Sequence, residues 1–152
     1  MKTLIFLLLI STSIAAQQNT IQIRTTDDIT GAFRKAGRLL GAEGYKVETA
    51  DINLLMITTE IHEKQYGFLG SGRVQVKFNL TFDEIPGGTL IEVTGTMRSS
   101  QEVRMHGKPL PLDEFEPIVN KGRGSNIYRI SWDIMAELTN KYKEGEIHFV
   151  EK

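Results

Sequence analysis

From Val74 onward the apolar residues fall on every second position, Val74, Val76, Phe78, Leu80 and Phe82, with Gln75, Lys77, Asn79 and Thr81 between them. A period of two is that of a strand with one buried face, and it predicts a strand over 73–83. Patterns of the same kind predict strands over 20–25, 46–50, 54–63 and 89–97. Asp51, Ile52 and Asn53 favour a tight bend between 46–50 and 54–63, and "IPGG" at 85–88 is a Pro-Gly turn joining the last two strands.

The period lengthens to that of a helix in two places. "TTDDITGAFRKAGRLLGAEGY" sets Ile29, Phe33, Ala36 and Leu40 on one face, with Thr and Asp residues to cap the start and Gly44 to stop the end. Gly31 and Gly37 each cost about 1 kcal/mol relative to Ala in a helix interior, so this helix has to be held by packing its stripe onto a sheet. "SNIYRISWDIMAELTNKYKEG" sets Ile127, Ile130, Ile134 and Leu138 on one face between Ser125 and Gly145, widened by Tyr128, Met135 and Tyr142. A short strand over 146–150 follows. The expectation is an α+β fold, an antiparallel meander sheet of about four to five strands packed by two helices in the order β-α-β-β-β-β-α.

The helix ending "LLGAEGYKV", the bend at Asp51, the run "LLMITTEI" and the late amphipathic helix together resemble the small TBP-like helix-on-sheet modules of bacterial envelope proteins, of BamC-like topology. The resemblance covers 27–63 and 125–142 and is one of pattern. It implies an interaction domain and transfers no functional residue. The chain departs from it in lacking a lipobox cysteine and in carrying a long insert before the last helix.

Composition adds a location and several exclusions. The stretch 1–16, "MKTLIFLLLISTSIAA", joins one Lys, an apolar run from Leu4 to Ile10 and a small-residue end, as a secretory signal peptide does. Residues 17–152 are then expected to form a single α+β domain, periplasmic or secreted. The apolar run is far short of the ~20 residues that span a bilayer, and no second such run follows it. With no cysteine in the chain, disulfides, thiol catalysis, thiolate metal sites and lipid attachment through a lipobox are excluded, and an exported chain of this kind leans towards a bacterial envelope. The net charge is −1, and losing Lys2 makes it more negative, which gives nucleic acid and anionic membranes nothing to bind.

Candidate chemistry is sparse. Gly67 and Gly72 have the spacing of a phosphate-binding loop, but Arg73 and Val74 stand where the Lys and the hydroxyl belong, and a strand rather than a helix is expected next. The glycines read as a loop joining strands. "HEKQY" at 62–66 imitates the zinc-protease helix, with Tyr66 in place of the second His and a strand context. His106 and His148 show no recognised ligand spacing. Asp27 and Asp28 suit a helix N-terminus, Asp83 and Glu84 a turn; "DEFE" at 113–116 shows no cleft to work in. Asn79 heads an "NLT" sequon inside a strand. No catalytic set, metal site or cofactor is expected.

The unusual segment is 99–124, "SSQEVRMHGKPLPLDEFEPIVNKGRG", long for a connection in so small a domain. Its apolar residues among mixed charges fit a partner-binding lid or an extra hairpin, contributing more to binding than to folding. In the competing reading Phe115, Ile118 and Val119 cover one end of the core. Trp132 falls at the border of the last helix's apolar face, where border packing competes with a binding platform. The candidate partner-binding residues are therefore Val103, Met105, Leu110, Leu112, Phe115 and Trp132. The function expected is that of a non-enzymatic exported interaction domain, whose partner is an envelope or secreted protein or a surface component. The alternative is a carrier of a small apolar ligand in a helix-grip-like pocket. A closed apolar pocket favours the carrier, and a solid core with an exposed apolar patch the interaction domain.

Overall fold

The computed structural model describes residues 18–66, 72–99, 104–105, 108–109, 114–120, 126–142 and 146–151. In chain order the elements are β1 (Gln18–Thr25), α1 (Ile29–Ala42), β2 (Val47–Asp51), β3 (Met56–Thr59), β4 (His62–Tyr66), β5 (Gly72–Ile85), β6 (Gly88–Ser99), β7 (Arg104–Met105), β8 (Lys108–Pro109), β9 (Glu116–Pro117), α2 (Asn126–Asn140) and β10 (Glu146–Glu151). Among the described residues eight strands make one antiparallel sheet in the order β10-β1-β6-β5-β3-β2, with β4 also on β5 and β9 also on β6; β7 and β8 pair as a separate hairpin.

The α+β class, the antiparallel sheet and the two helices are those the periodicity predicts. Two features depart from a plain meander. The run 54–63 is two strands, because the chain leaves the ladder at Glu60 and Ile61; β3 pairs with residues 79–81 of β5 and β4 with residues 72–76. At the break the Phe78 N–H donates to Thr59 Oγ1 at 2.9 Å, so a hydroxyl replaces the missing ladder carbonyl. The second departure is β1, which lies inside the sheet between β6 and β10.

One face of the sheet is the core. Ile21 lies opposite Val93 and Val93 opposite Leu80, while Ile23, Ile91 and Phe82 form the next row. Both helices cover this face, α1 through Ala32, Ala36 and Leu40 and α2 through Trp132, Met135 and Leu138. The opposite face carries Gln22, Gln75, Lys77, Thr81, Glu92 and Thr94, none of them buried, as expected of an antiparallel sheet with one solvated side.

Helix α1 begins at Asp28, whose Oδ1 accepts from the Gly31 N–H at 3.2 Å. It ends in a Schellman motif: Gly44 has φ +82°, its N–H donates to Gly41 O at 3.1 Å, and the Tyr45 N–H donates to Leu40 O at 2.9 Å. Gly41 has open space where a Cβ would go. Gly41→Ala is therefore expected to stabilise the protein by about 0.5–1 kcal/mol, read as a higher urea midpoint with an unchanged slope.

Asp27, one residue before the cap, ties the layers together. Its Oδ2 accepts from Thr25 Oγ1 at 3.1 Å, Lys35 Nζ at 3.3 Å and Tyr142 Oη at 3.3 Å, and its carbonyl accepts from Thr89 Oγ1 at 2.9 Å. Burial pushes this carboxyl up, but the three hydrogen bonds and the Lys35 charge outweigh it and hold the group below its ordinary value. A lowered carboxyl gives stability that is complete above its unfolded value of 3.8 and is lost as pH falls through the folded one. Asp27→Asn is expected to lower stability at neutral pH and to flatten the acid limb of a pH–stability profile, as chemical denaturation at a series of pH values will show.

Candidate functional site

Of the residues singled out for partner binding, Phe115 and Trp132 have described surroundings, and these differ. Phe115 is half-buried, and its ring lies 4.6 Å from the Arg98 guanidinium, which projects from the open face of the sheet. Trp132 is only 7% exposed and packs in the core on the other face. Met105 lies in β7, in the extra hairpin; Val103, Leu110 and Leu112 lie outside the described residues. Within the same segment Ile118 is 0% exposed. Its N–H donates to Gly95 O at 2.8 Å, and the Asn120 N–H donates to Gln18 O at 2.7 Å. Residues 116–120 therefore serve as a strut of the sheet, which is the core-covering reading in the case of Ile118.

The sequence motifs settle into structural roles. Gly72 opens strand β5, opposite Tyr66, and a Cβ there would stand 2.5 Å from the Tyr66 ring. A strand with an aromatic ring across its glycine leaves no helix N-terminus for a phosphate. His62, the head of "HEKQY", is in strand β4, so alternate residues share a side. Among the described residues no cluster of His, Asp and Glu has the makings of a metal site, and no helix is long and apolar enough to cross a membrane.

Two surfaces stand out. The first is the sheet edge at 47–61. Val47, Ile52, Leu54 and Ile61 are the exposed large apolar residues among those described, with Leu54 69% exposed. Val47 is the first residue of β2, the last strand in the sheet order; Ile52 and Leu54 lie in the turn from β2 to β3, and Ile61 lies between β3 and β4. Asp51 shapes the tip: its Oδ1 accepts from the N–H groups of Asn53 at 2.8 Å and Leu54 at 3.1 Å. Leu55 then takes a left-handed φ of +51°, and its carbonyl accepts from the Phe82 N–H at 3.0 Å.

The second is a polar cleft of about 100 Å³ where the end of α1, strand β4 and α2 meet, lined by Glu43, Tyr45, His62, Lys64, Glu137 and Lys141 over Ile134 and Leu138. The Schellman turn places Tyr45 here. Its ring packs 4.5 Å from His62 and 5.3 Å from Phe78. A chain of ion pairs crosses the mouth: Glu43 to Lys141 at 2.5 Å, Lys141 to Glu137 at 3.4 Å, Glu137 to Lys64 at 3.6 Å. Burial, reinforced by Glu137 and Glu43, pushes the Tyr45 hydroxyl up to about 12, and burial with the Lys64 charge lowers His62. At neutral pH the cleft thus holds a protonated phenol and an uncharged imidazole. Lys64 beside Glu137, followed by the hydrogen bond from Lys141, keeps the Glu137 carboxyl below its ordinary value.

Sequence patterning does not gather these six residues, which come from three elements far apart in the chain. The one local signal is an aromatic directly after the helix-stopping Gly44, where a Schellman turn wants a buried apolar group. No protein-family model matches the chain, and no curated protein sequence matches it either.

Proposed function

We infer that the chain is a non-enzymatic, exported interaction domain of the envelope or extracellular space, and that it meets a partner protein along the sheet edge at 47–61. The observation that carries this reading is the confinement of the exposed large apolar residues, among those described, to that one edge. An edge strand with unpaired backbone groups flanked by apolar side chains is suited to receive an extended segment of another protein, with main-chain hydrogen bonds for affinity and the apolar side chains for specificity. The packing between the helices and the sheet, among the described residues, supports this over a carrier. The apolar pocket lined there by Ile23, Leu40, Leu80, Val93 and Tyr142 has about 10 Å³, room for one water at most.

The test is site-directed photocrosslinking in the intact source cell. A photoreactive residue at 54 and another at 61 should give the same adduct, one at the exposed Arg34 of α1 should not, and Leu54→Lys should abolish the adduct formed from 61. Equal adducts from all three positions would remove the reading. Export is tested separately by intact mass: the mature chain is expected to begin at Gln17, and a soluble cytoplasmic form keeping Met1 would contradict it.

A further inference from the structure

The backbone groups that β2 offers at the sheet edge follow from the pairing inside the sheet. The N–H groups of Phe78 and Phe82 both point towards β3, where they donate to Thr59 Oγ1 and Leu55 O. Hydrogen-bonding direction alternates along a strand, so Leu80, midway between them, points the same way, and its partner Ile57 points back at β5. Met56 and Thr58 then point at β2, and their partners Asp51 and Thr49 point back at β3. Ala50, between those two, has its N–H and its C=O directed out of the sheet, and it is exposed.

The edge around Ala50 matches itself when turned end for end. A two-fold antiparallel pair sets one residue opposite its own copy, and centring it on Ala50 lets each Ala50 N–H donate to the C=O of the other. Thr49 then lies opposite Asp51 of the second copy, a hydroxyl facing a carboxylate. The charges agree with this direction. Glu48 is offset by Lys77 at 2.5 Å, which leaves Lys46 before the start of the strand and Asp51 at its end, and the antiparallel turn brings the basic end of each copy to the acidic end of the other. The apolar residues divide in the same way: Val47 and Ile61 lie at the first end, and Ile52 and Leu54 at the second. The two pairs meet across the axis. Glu48 is an extra residue against β3, and this bulge confines the regular ladder to a few residues about Ala50, which places the contact among the small, weak interfaces.

We propose that the occupant of the strand edge is a second copy of this chain, paired antiparallel through β2 about a two-fold axis at Ala50, so that one sheet runs through the dimer. The proposal rests on the reading of the edge as the binding surface and names its partner.

The chain has no cysteine, so single cysteines report the register. Facing Cα atoms in a hydrogen-bonded antiparallel pair are about 5.5 Å apart, within disulfide reach, whereas two Val47 positions would stand about 20 Å apart along the strands. The purified chain carrying Ala50→Cys is expected to oxidise to a covalent dimer much faster than one carrying Val47→Cys or, as the collision control, Arg34→Cys on the exposed side of α1. Ala50→Pro removes the outward N–H and spares the bonds to β3; it should leave the thermal melt in place and shift the mass in sedimentation equilibrium to that of the monomer. Should that variant fail to fold, Leu54→Lys, at an exposed position, is expected to give the same shift. The proposal is overturned if Ala50→Cys links no faster than Arg34→Cys, if Val47→Cys links as fast as Ala50→Cys, or if the folded Pro or Lys variant keeps the wild-type mass distribution. Photocrosslinking from 54 and 61 separates it from the reading it rests on: an adduct of twice the chain mass supports both, and an adduct with a different protein keeps the edge as the binding surface and overturns the second copy.

Discussion

Gly88→Ala is expected to destabilise the protein by about 3 kcal/mol or more, against a total of roughly 5–15 kcal/mol for a natural domain. A Cβ on Gly88 would stand 1.9 Å from the Thr25 carbonyl oxygen and 2.9 Å from Thr25 C and Thr26 Cα. These are backbone atoms, so no side-chain rotation makes room. Thr25 is fixed by its pairing with Thr89 and by the Asp27 tie, and relief would have to come from pulling β1 off β6 at the point where α1 begins. The neighbouring Gly87 supplies the control. It has φ +86° and open space around it, so Gly87→Ala carries only the left-handed penalty of roughly 1–2 kcal/mol. Urea denaturation of the two variants side by side decides the matter: equal midpoints would mean that the close approach of β1 to the β5–β6 turn does not matter.

The second large effect lies in the segment that the sequence marks as a binding element. Ile118→Ala is expected to cost about 2–4 kcal/mol, the range for truncating a fully buried aliphatic side chain. Phe115→Ala, three residues away, is expected to cost less than about 1 kcal/mol, because it removes a half-exposed ring and one contact with Arg98. Ile118 occupies the space left by Gly95, where a Cβ would be 2.8 Å from Ile118 Cδ1 and 2.9 Å from Phe78 Cδ1. Exchanging 102–121 for a Gly/Ser linker would therefore cost far more than loop closure, since it removes a core residue and the hydrogen bonds that join β6 to the start of β1. A thermal melt in which the two alanine variants coincide would return the whole segment to the surface.

The parts of the fold legible in the sequence are those whose cause is local. The alternation from Val74 to Phe82 makes the central strand, Asp28 caps α1, and Gly44 ends it through a backbone pattern that needs a left-handed residue. The break at Glu60 was hidden, because a strand interrupted by a side-chain hydrogen bond keeps its β-branched and apolar composition: Thr58, Thr59 and Ile61 look like strand whether or not they are in the ladder. The position of β1 was hidden too, since nothing in "QNTIQIRT" says that its second neighbour is the last strand of the chain. Ile118 sits in a stretch without a period, so its burial follows from the gap at Gly95 and not from spacing. The polar cleft is the least legible part. His62 was conspicuous as a mock zinc ligand, whereas Tyr45, whose ring packs against His62 in the cleft, looks in the sequence like any residue following a helix.

The place of β1 also has a consequence in time. Its two neighbours in the sheet are β6 and β10, and its partners in β10 run from residue 146 to residue 151. Strand β1 therefore has no neighbouring strand to pair with until β6 has been made, and its second neighbour, β10, comes only with residues 146–151. Pairing two strands so far apart in sequence carries the loop-closure entropy of a long loop, so the β1–β10 pair is expected to form after local hairpins such as β5–β6. On the export proposed above, β1 would leave a membrane channel well before β10 and wait for it on the far side.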